Sequence, residues 1–192
     1  FISWILNPFV SACLAFFASR SIAVVIRRMG DLTEITRLMF VGLIVTSAFT
    51  AYTFGANDLG ASTGVFYAFF EDRGIAAASF LAAILAWVGT VAGAITLGRK
   101  VSRTVESGIT RLDPFTAFSA QLGTAIGVWA FVQFHIPVST TQAFVGGLMG
   151  AGMAKGVAAV NSKKLGRIAM TWIIAPVLAL LISLALSLAV LS

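Results

Sequence analysis

The chain has 192 residues, of which 59% are hydrophobic and only 10% are charged, and its mean hydropathy is +0.98. Soluble domains carry about 25% charged residues, so this composition excludes a water-soluble globular domain and predicts a membrane protein. The 13 Lys and Arg outnumber the 7 Asp and Glu. Because these charges lie in short connections between apolar segments, they indicate positive-inside topology rather than nucleic-acid binding.

Runs of about 20 apolar residues predict helices that cross a membrane. Two polar strings, residues 55–60 and 137–142, interrupt this pattern. Irregular backbone is tolerated at membrane depth only inside protein or beside a wet cavity, and transporters build their sites from such broken helices. We therefore predict an all-α, polytopic transporter with broken or re-entrant helices. The predicted helices cover residues 3–26, 37–54 with a continuation at 61–70, 74–97, 115–134, 140–155 and 166–191.

The charged connections predict the orientation of these helices. The basic connections 27–37, 99–111 and 155–167 are expected on the cytoplasmic side, and connection 71–73, which lacks a positive excess, outside. The interrupted segment 37–70 must then cross the membrane. Segment 115–155 begins and ends on the same side, which leaves two full crossings and a re-entrant hairpin both open.

The first polar string contains Asp58, the only acidic residue inside a predicted membrane segment. An intramembrane carboxylate is costly to desolvate and is a functional-site candidate. The neighbouring Asn57 adds an amide oxygen, and Gly55 and Gly60 permit unusual backbone dihedrals. Carboxylate, amide and carbonyl oxygens suit Na⁺, whereas the carboxylate alone suits H⁺. The alternative is that Asp58 caps a helix that begins near Leu59.

The second polar string places Ser139, Thr140 and Thr141 after Pro137, at the start of an apolar helix. Unpaired N–H groups and the positive end of the helix dipole favour an anion there. The alternative is a simple Ser or Thr N-cap. Gln121 lies in the preceding helix, where it either faces the site or forms an interhelical hydrogen bond. Arg20 and His135 are assigned no role.

A short repeat predicts how much of a transport unit the chain contains. The Trp-x-x-x-Pro pattern at Trp4 and Pro8 returns at Trp172 and Pro176. Chance similarity of two membrane helices is one explanation of this match. The other is that both helices close a repeated unit. Residues 1–26 are then the closing helix of a preceding repeat, and residues 27–192 are the C-terminal transporter repeat, so we expect the chain to be one half of a transporter.

The two polar strings resemble signatures of the PiT inorganic phosphate transporter family. Members carry a Gly-Ala-Asn-Asp string and a Pro-x-Ser-Thr-Thr-His string in each of two inverted halves, and this chain is similar to the C-terminal half. The resemblance implies symport of phosphate with Na⁺ or H⁺, phosphate binding by Ser139, Thr140 and Thr141, and coupling-ion binding by Asn57, Asp58 and Gln121. If the ion is Na⁺, Asn57 and Asp58 are the implied metal ligands. The further candidates are Ser62, Thr63 and Gln142.

The chain departs from the family at two positions. Ala61 stands where members usually have a second asparagine, and Gln142 stands where they usually have a histidine. These departures bear on the coupling ion and on the substrate, and a related branch is similar to sulfate permeases.

Three functions therefore remain as alternatives. Beside the phosphate symporter, they are a sulfate permease of the same fold and an anion channel. An intramembrane aspartyl protease needs two carboxylates that share a proton, and Asp58 stands alone, so no enzyme is predicted. We expect a multi-pass protein of the cell membrane with no cofactor beyond the coupling ion. The expected partners are inorganic phosphate, the N-terminal half of the transporter and membrane lipid, with a second copy of the chain as a candidate and no nucleic acid.

Overall fold

A computed structural model describes residues 2–106, 109–110, 112–156 and 159–191 of the chain. Over these residues the secondary structure is helical and contains no strand. A π-helical turn, Gly55–Leu59, joins the second and third helices. The helices are α1 (Ile2–Arg28), α2 (Leu32–Phe54), α3 (Gly60–Asp72), α4 (Ala78–Glu106), α5 (Pro114–Gln133), α6 (Thr140–Lys155) and α7 (Ser162–Leu191).

Five helical segments of the described residues are long and apolar enough to cross a membrane. They confirm the predicted all-α polytopic membrane protein. Helix α2 begins five residues earlier than predicted, because Asp31 caps it by accepting a hydrogen bond from the Thr33 N–H (2.8 Å). Helix α4 begins four residues later than predicted, after a turn in which Gly74 and Ala77 have positive φ. The five segments are Ile2–Arg28, Leu32–Leu59, Ala78–Lys100, Pro114–Gln133 and Ser162–Leu188.

Helices α5 and α6 form an antiparallel hairpin. Thr124 of α5 lies beside Ala143 of α6, and Ala120 lies beside Gly147, so the two helices run in opposite directions. Helix α6 has only 16 residues and is about 24 Å long at 1.5 Å per residue. This is shorter than the hydrocarbon core of about 30 Å, which favours the re-entrant hairpin over two full crossings.

Helix α1 packs along both helices of this hairpin. The face that it buries is made of small side chains, which allow the backbones to approach closely as in other membrane helix pairs. Two glycines of each hairpin helix, spaced four residues apart, meet this face: Gly123 and Gly127 on α5, and Gly146 and Gly150 on α6. The buried residues of α1 are Asn7, Ser11, Ala12, Ala15 and Ser19.

The glycines of α6 show how close this packing is. A Cβ atom added to Gly146 would collide with the carbonyl oxygen of Pro8, and one added to Gly150 would collide with the carbonyl oxygen of Ala12. On α5, a Cβ atom added to Gly127 would lie 2.6 Å from the Ser11 Oγ atom. The α1–α5–α6 bundle therefore depends on glycine at these positions, and it forms the rigid frame around residues 134–139.

The first polar string keeps the chain helical, which differs from the expected irregular backbone. Gly55 and Gly60 both have right-handed helical dihedrals, and α3 continues directly from the π-helical turn. The string contains no proline, so each residue keeps an N–H donor and the helix can widen instead of ending. No helix starts near Leu59 with a side-chain cap, so the alternative of Asp58 as an N-cap is wrong.

Two compact units divide the chain, Phe1–Val160 and Asn161–Ser192. Within the first unit, α2 packs against α5, and α3 packs against α4. The second unit consists mainly of α7, which contains the second Trp-x-x-x-Pro pattern with Pro176 inside the helix. The assignment of residues 1–26 and 27–192 to two repeats stays a prediction.

Candidate functional site

Asn57 joins the two polar strings. Its Nδ2 atom donates to the Val138 carbonyl oxygen (2.6 Å), and the Val138 N–H donates to the Asn57 Oδ1 atom (3.0 Å). One side-chain amide therefore satisfies both backbone groups of a buried residue that is 81 positions away. Two parallel hydrogen bonds fix orientation as well as distance, so the loop before α6 is held against the π-helical turn.

Asp58 lies directly beside this junction. Its Oδ1 atom accepts a hydrogen bond from the Asn57 Nδ2 atom (3.2 Å), while its Oδ2 atom is buried and has no partner among the described residues. A buried carboxylate oxygen without a donor is costly unless a proton or a cation meets it. The π-helical turn thus holds one acidic oxygen with unused capacity next to the second polar string.

Ser139 caps α6. Its Oγ atom accepts from the Gln142 N–H (3.3 Å), and its carbonyl oxygen accepts from the Ala143 N–H (3.0 Å). The N–H groups of Thr140 and Thr141 form no hydrogen bond with the part of the chain that is described. The simple N-cap alternative is correct for Ser139, and it leaves the donors of the next two residues available to an anion.

Asn7 is a site residue that sequence reasoning missed. It is fully buried on α1, and its Nδ2 atom donates to the Ser139 carbonyl oxygen (2.7 Å). Two asparagines from different helices, Asn7 and Asn57, therefore bind the consecutive carbonyls of Ser139 and Val138. The available signal was an asparagine inside an apolar membrane helix, since polar residues in such helices commonly form interhelical hydrogen bonds.

Gln121 lies away from the Asn57 junction. Its Nε2 atom donates to the Ser47 Oγ atom (3.0 Å), and its Oε1 atom accepts from the Thr46 hydroxyl (3.4 Å). Ser47 precedes Asn57 by ten residues along α2 and the π-helical turn, which corresponds to about 15 Å. The structure therefore shows the interhelical hydrogen bond that was the alternative for Gln121.

Ser62 and Thr63 lie one turn after the Asp58 string. The Thr63 hydroxyl donates to the Leu59 carbonyl oxygen (2.6 Å), and the Ser62 hydroxyl donates to the Asp58 carbonyl oxygen (3.5 Å). Hydroxyls often satisfy backbone carbonyls where a membrane helix is distorted. Both side chains therefore support the π-helical turn from which Asn57 and Asp58 project.

A cavity of about 260 Å³ adjoins the junction. His135, which is exposed and has a positive φ of 56°, forms part of its wall in the turn that ends α5. The cavity gives a small ligand access to the Asn57 side of the loop. Its lining consists of Ala56, Asn57, Val132, His135, Ile136 and Pro137.

The arrangement combines two opposite chemical characters. The first turn of α6 offers N–H and hydroxyl donors at Thr140 and Thr141, which suit an anion. The π-helical turn offers the free carboxylate oxygen of Asp58, which suits a cation or a proton. The Asn57 to Val138 hydrogen bonds lie between these two groups and connect them directly.

Comparison with known proteins gives one consistent result. A model of the phosphate transporter family matches residues 23–183. A provisionally named phosphate permease of Methanocaldococcus jannaschii is 34% identical over 181 residues, which are 94% of this chain and 56% of that protein. One from Haemophilus influenzae is 32% identical over 152 residues, which are 76% of this chain and 36% of that protein.

A third relative is a provisionally named low-affinity inorganic phosphate transporter of Rhizobium meliloti. It is 34% identical over 135 residues, which are 67% of this chain and 40% of that protein. The chain thus spans about half or less of the length of these relatives. No solved structure matches the chain.

Proposed function

Because the chain belongs to the phosphate transporter family, we propose that it forms part of a symporter that moves inorganic phosphate across the cell membrane with Na⁺ or H⁺. Family membership indicates a transporter rather than an enzyme. The five helical segments of the described residues that are long and apolar enough to cross a membrane agree with a multi-pass protein. The observation that supports coupled transport best is the pair of hydrogen bonds between Asn57 and Val138.

In this proposal, the two polar strings have separate tasks. Phosphate binds at the first turn of α6 through the N–H groups and hydroxyls of Thr140 and Thr141, beside the Ser139 cap. The coupling cation or proton binds at the free oxygen of Asp58. Ion binding changes the charge beside Asn57, and Asn57 holds the loop that precedes the anion site. Each ligand then favours the arrangement in which the other binds well.

The proposed activity belongs to the full-length protein. Alternating access requires one repeat to move against another around a shared site, and this chain covers about half of its relatives. We propose that a second, inverted unit with its own pair of polar strings completes the site. Phosphate and the coupling ion would then bind between the two units near the middle of the membrane.

Replacing Asp58 tests the proposal. In proteoliposomes that contain the full-length protein, a gradient of Na⁺ or of protons should drive accumulation of labelled phosphate. Asp58→Asn should abolish accumulation of phosphate against its own concentration gradient while leaving membrane insertion intact. The reason is that the amide neither takes up a proton nor balances the charge of a cation.

The control is Asp31→Asn, which makes the same change at the exposed cap of α2 and should leave uptake near wild type. Ion-driven accumulation by Asp58→Asn at the wild-type level would remove Asp58 from the coupling step. Sulfate uptake without phosphate uptake would favour the sulfate permease, and conduction that does not saturate and needs no ion gradient would favour the channel.

A further inference from the structure

Gln142 has a buried oxygen without a partner. The residue is 3% exposed, and its Oε1 atom is closed to solvent and receives no hydrogen bond from the described residues. Leaving a buried acceptor unpaired is unfavourable, so such an atom needs a donor from outside the chain or a rearrangement inside it. Its position, three residues after the Ser139 cap, is at the end of α6 where the anion is proposed to bind.

The residues Ser139 and Gln142 have the spacing of a capping box. In that motif the serine accepts from the backbone of the third helical residue, and the side chain of that residue accepts from the serine N–H. Here only the first bond is formed, from the Gln142 N–H to the Ser139 Oγ atom. The Gln142 oxygen is left over, and side chains on a helix lean toward its N-terminus, which directs this oxygen toward the first turn.

An acceptor at an anion site distinguishes anions by their protons. Inorganic phosphate carries at least one proton near neutral pH and therefore has an O–H donor, whereas sulfate is fully deprotonated and offers only acceptors. A carbonyl oxygen beside sulfate would face another oxygen with no hydrogen between them. Sites built around one specific hydrogen bond reject ligands that cannot form it.

We propose that the Gln142 Oε1 atom accepts a hydrogen bond from the protonated oxygen of bound phosphate and thereby selects phosphate over sulfate. This inference rests on the proposed function and names the residue that sets its specificity. Gln142 is then a substrate-binding residue of the same site as Thr140 and Thr141. Because this oxygen is closed to solvent in the structure, the proposal includes a change of the Gln142 rotamer when phosphate binds.

The test uses the full-length protein in proteoliposomes and two competitors of labelled phosphate uptake. Sulfate is one, and monofluorophosphate is the other, because it is a doubly charged phosphate analogue with fluorine in place of the hydroxyl. Wild type should bind both at least tenfold more weakly than phosphate. Gln142→Met, which keeps the length of the side chain but removes the acceptor, should reduce this preference about tenfold, or about 1.4 kcal/mol.

Two further variants make the result specific. In its ionised form Gln142→Glu offers only acceptors, so uptake measured at alkaline pH, where phosphate still carries a proton, should keep the preference for phosphate. Gln133→Leu removes an exposed glutamine at the end of α5 and should leave the preference unchanged. Thermal melting of each purified variant checks the fold.

Two results in the Gln142 variants would overturn the inference. An unchanged ratio of competitor to phosphate affinity in Gln142→Met, even with weaker binding overall, would leave Gln142 as the second half of the capping box only. Loss of the preference in Gln142→Glu at alkaline pH, where the new side chain is ionised, would also overturn the acceptor role. If wild type does not take up phosphate at all, the proposed function fails first, and this result is distinct from a change confined to the variants.

Discussion

Replacing Asn57 tests the connection between the two polar strings. Asn57→Ala removes the hydrogen bonds of 2.6 and 3.0 Å to Val138 and leaves two buried backbone groups unpaired. An unpaired buried group costs about 1–3 kcal/mol. Water that enters from the adjoining cavity would offset part of this loss. We therefore expect Asn57→Ala to destabilise the ordered loop by about 2–3 kcal/mol. The loop would then be ordered in only a fraction of the molecules.

This loss should appear in phosphate binding, because the apparent affinity is reduced by the fraction of molecules with an ordered loop. A loss of 2–3 kcal/mol corresponds to a rise of about 30- to 150-fold in the phosphate KM at saturating Na⁺ or fixed pH. The assay is initial uptake by the full-length protein in proteoliposomes over a range of phosphate concentrations. The control is Asn161→Ala directly before α7, whose side chain accepts from the Lys164 N–H of that helix (3.1 Å).

A phosphate KM within twofold of wild type in Asn57→Ala would refute the view that Asn57 holds the anion loop. A normal KM together with a lost dependence on the driving ion would instead make Asn57 an ion ligand. These two results separate a positioning residue from a coupling-ion ligand.

Three further changes test the site and its frame. Replacing Thr140 and Thr141 together with valine removes two hydroxyls, each worth roughly 1.5–3 kcal/mol toward a charged ligand, so phosphate affinity measured by uptake should fall at least tenfold. Gly150→Val places atoms on the α1 backbone, and we expect it to lower the melting temperature in detergent by several degrees or to prevent folding. Although burial raises the pKa of Asp113, hydrogen bonds from Lys155 and from the helix N-terminus outweigh it and lower that pKa. Asp113 therefore contributes stability to the fold at pH values above its ordinary pKa, and this contribution disappears as the pH falls through the lowered pKa. Lys155→Met removes one of the lowering hydrogen bonds, so it should move the acid-induced drop in melting temperature to higher pH.

Each of these changes has a matched control. Thr96→Val makes the same change on α4, where the hydroxyl donates to the Ala92 carbonyl oxygen (2.7 Å), and should leave phosphate affinity unchanged, unlike the paired threonine change. Gly64→Val adds the same side chain where a Cβ meets no neighbour, so the melting temperature should change much less. Lys163→Met removes a lysine elsewhere on the chain and should not move the acid transition. Equal effects in variant and control would contradict the corresponding argument.

The helices were the part of the fold that the sequence predicted well. Apolar runs and capping residues are signals within a short stretch of sequence, so α5 and α6 were predicted within one residue of their bounds. The form of the first polar string was not predictable, because a π-helical turn and an unwound segment share the same glycine-rich composition. The difference depends on whether nearby groups satisfy the backbone, and here Thr63 bonds the Leu59 carbonyl oxygen.

The candidate site was predictable in its residues and not in its connections. Asp58 and Thr141 stand out because polar groups are rare in apolar segments. The pairing of Asn57 with Val138 depends on contacts across 81 residues, and no local pattern encodes it. Asn7 stood out as an asparagine inside an apolar helix, but its partner is the backbone of Ser139, which no sequence pattern identifies.

The position of α1 has a consequence for biosynthesis. Asn7 and its partner Ser139 are separated by 132 residues, and ribosomes add about 5–20 residues per second. The first helix is therefore in the membrane for about 7–26 seconds before the backbone that it binds has been made. During that time its asparagine and its row of small residues have no hairpin to contact. We expect an insertase or a neighbouring helix to shield this face from lipid until α5 and α6 emerge, and we expect the bundle to assemble late in the synthesis of the chain.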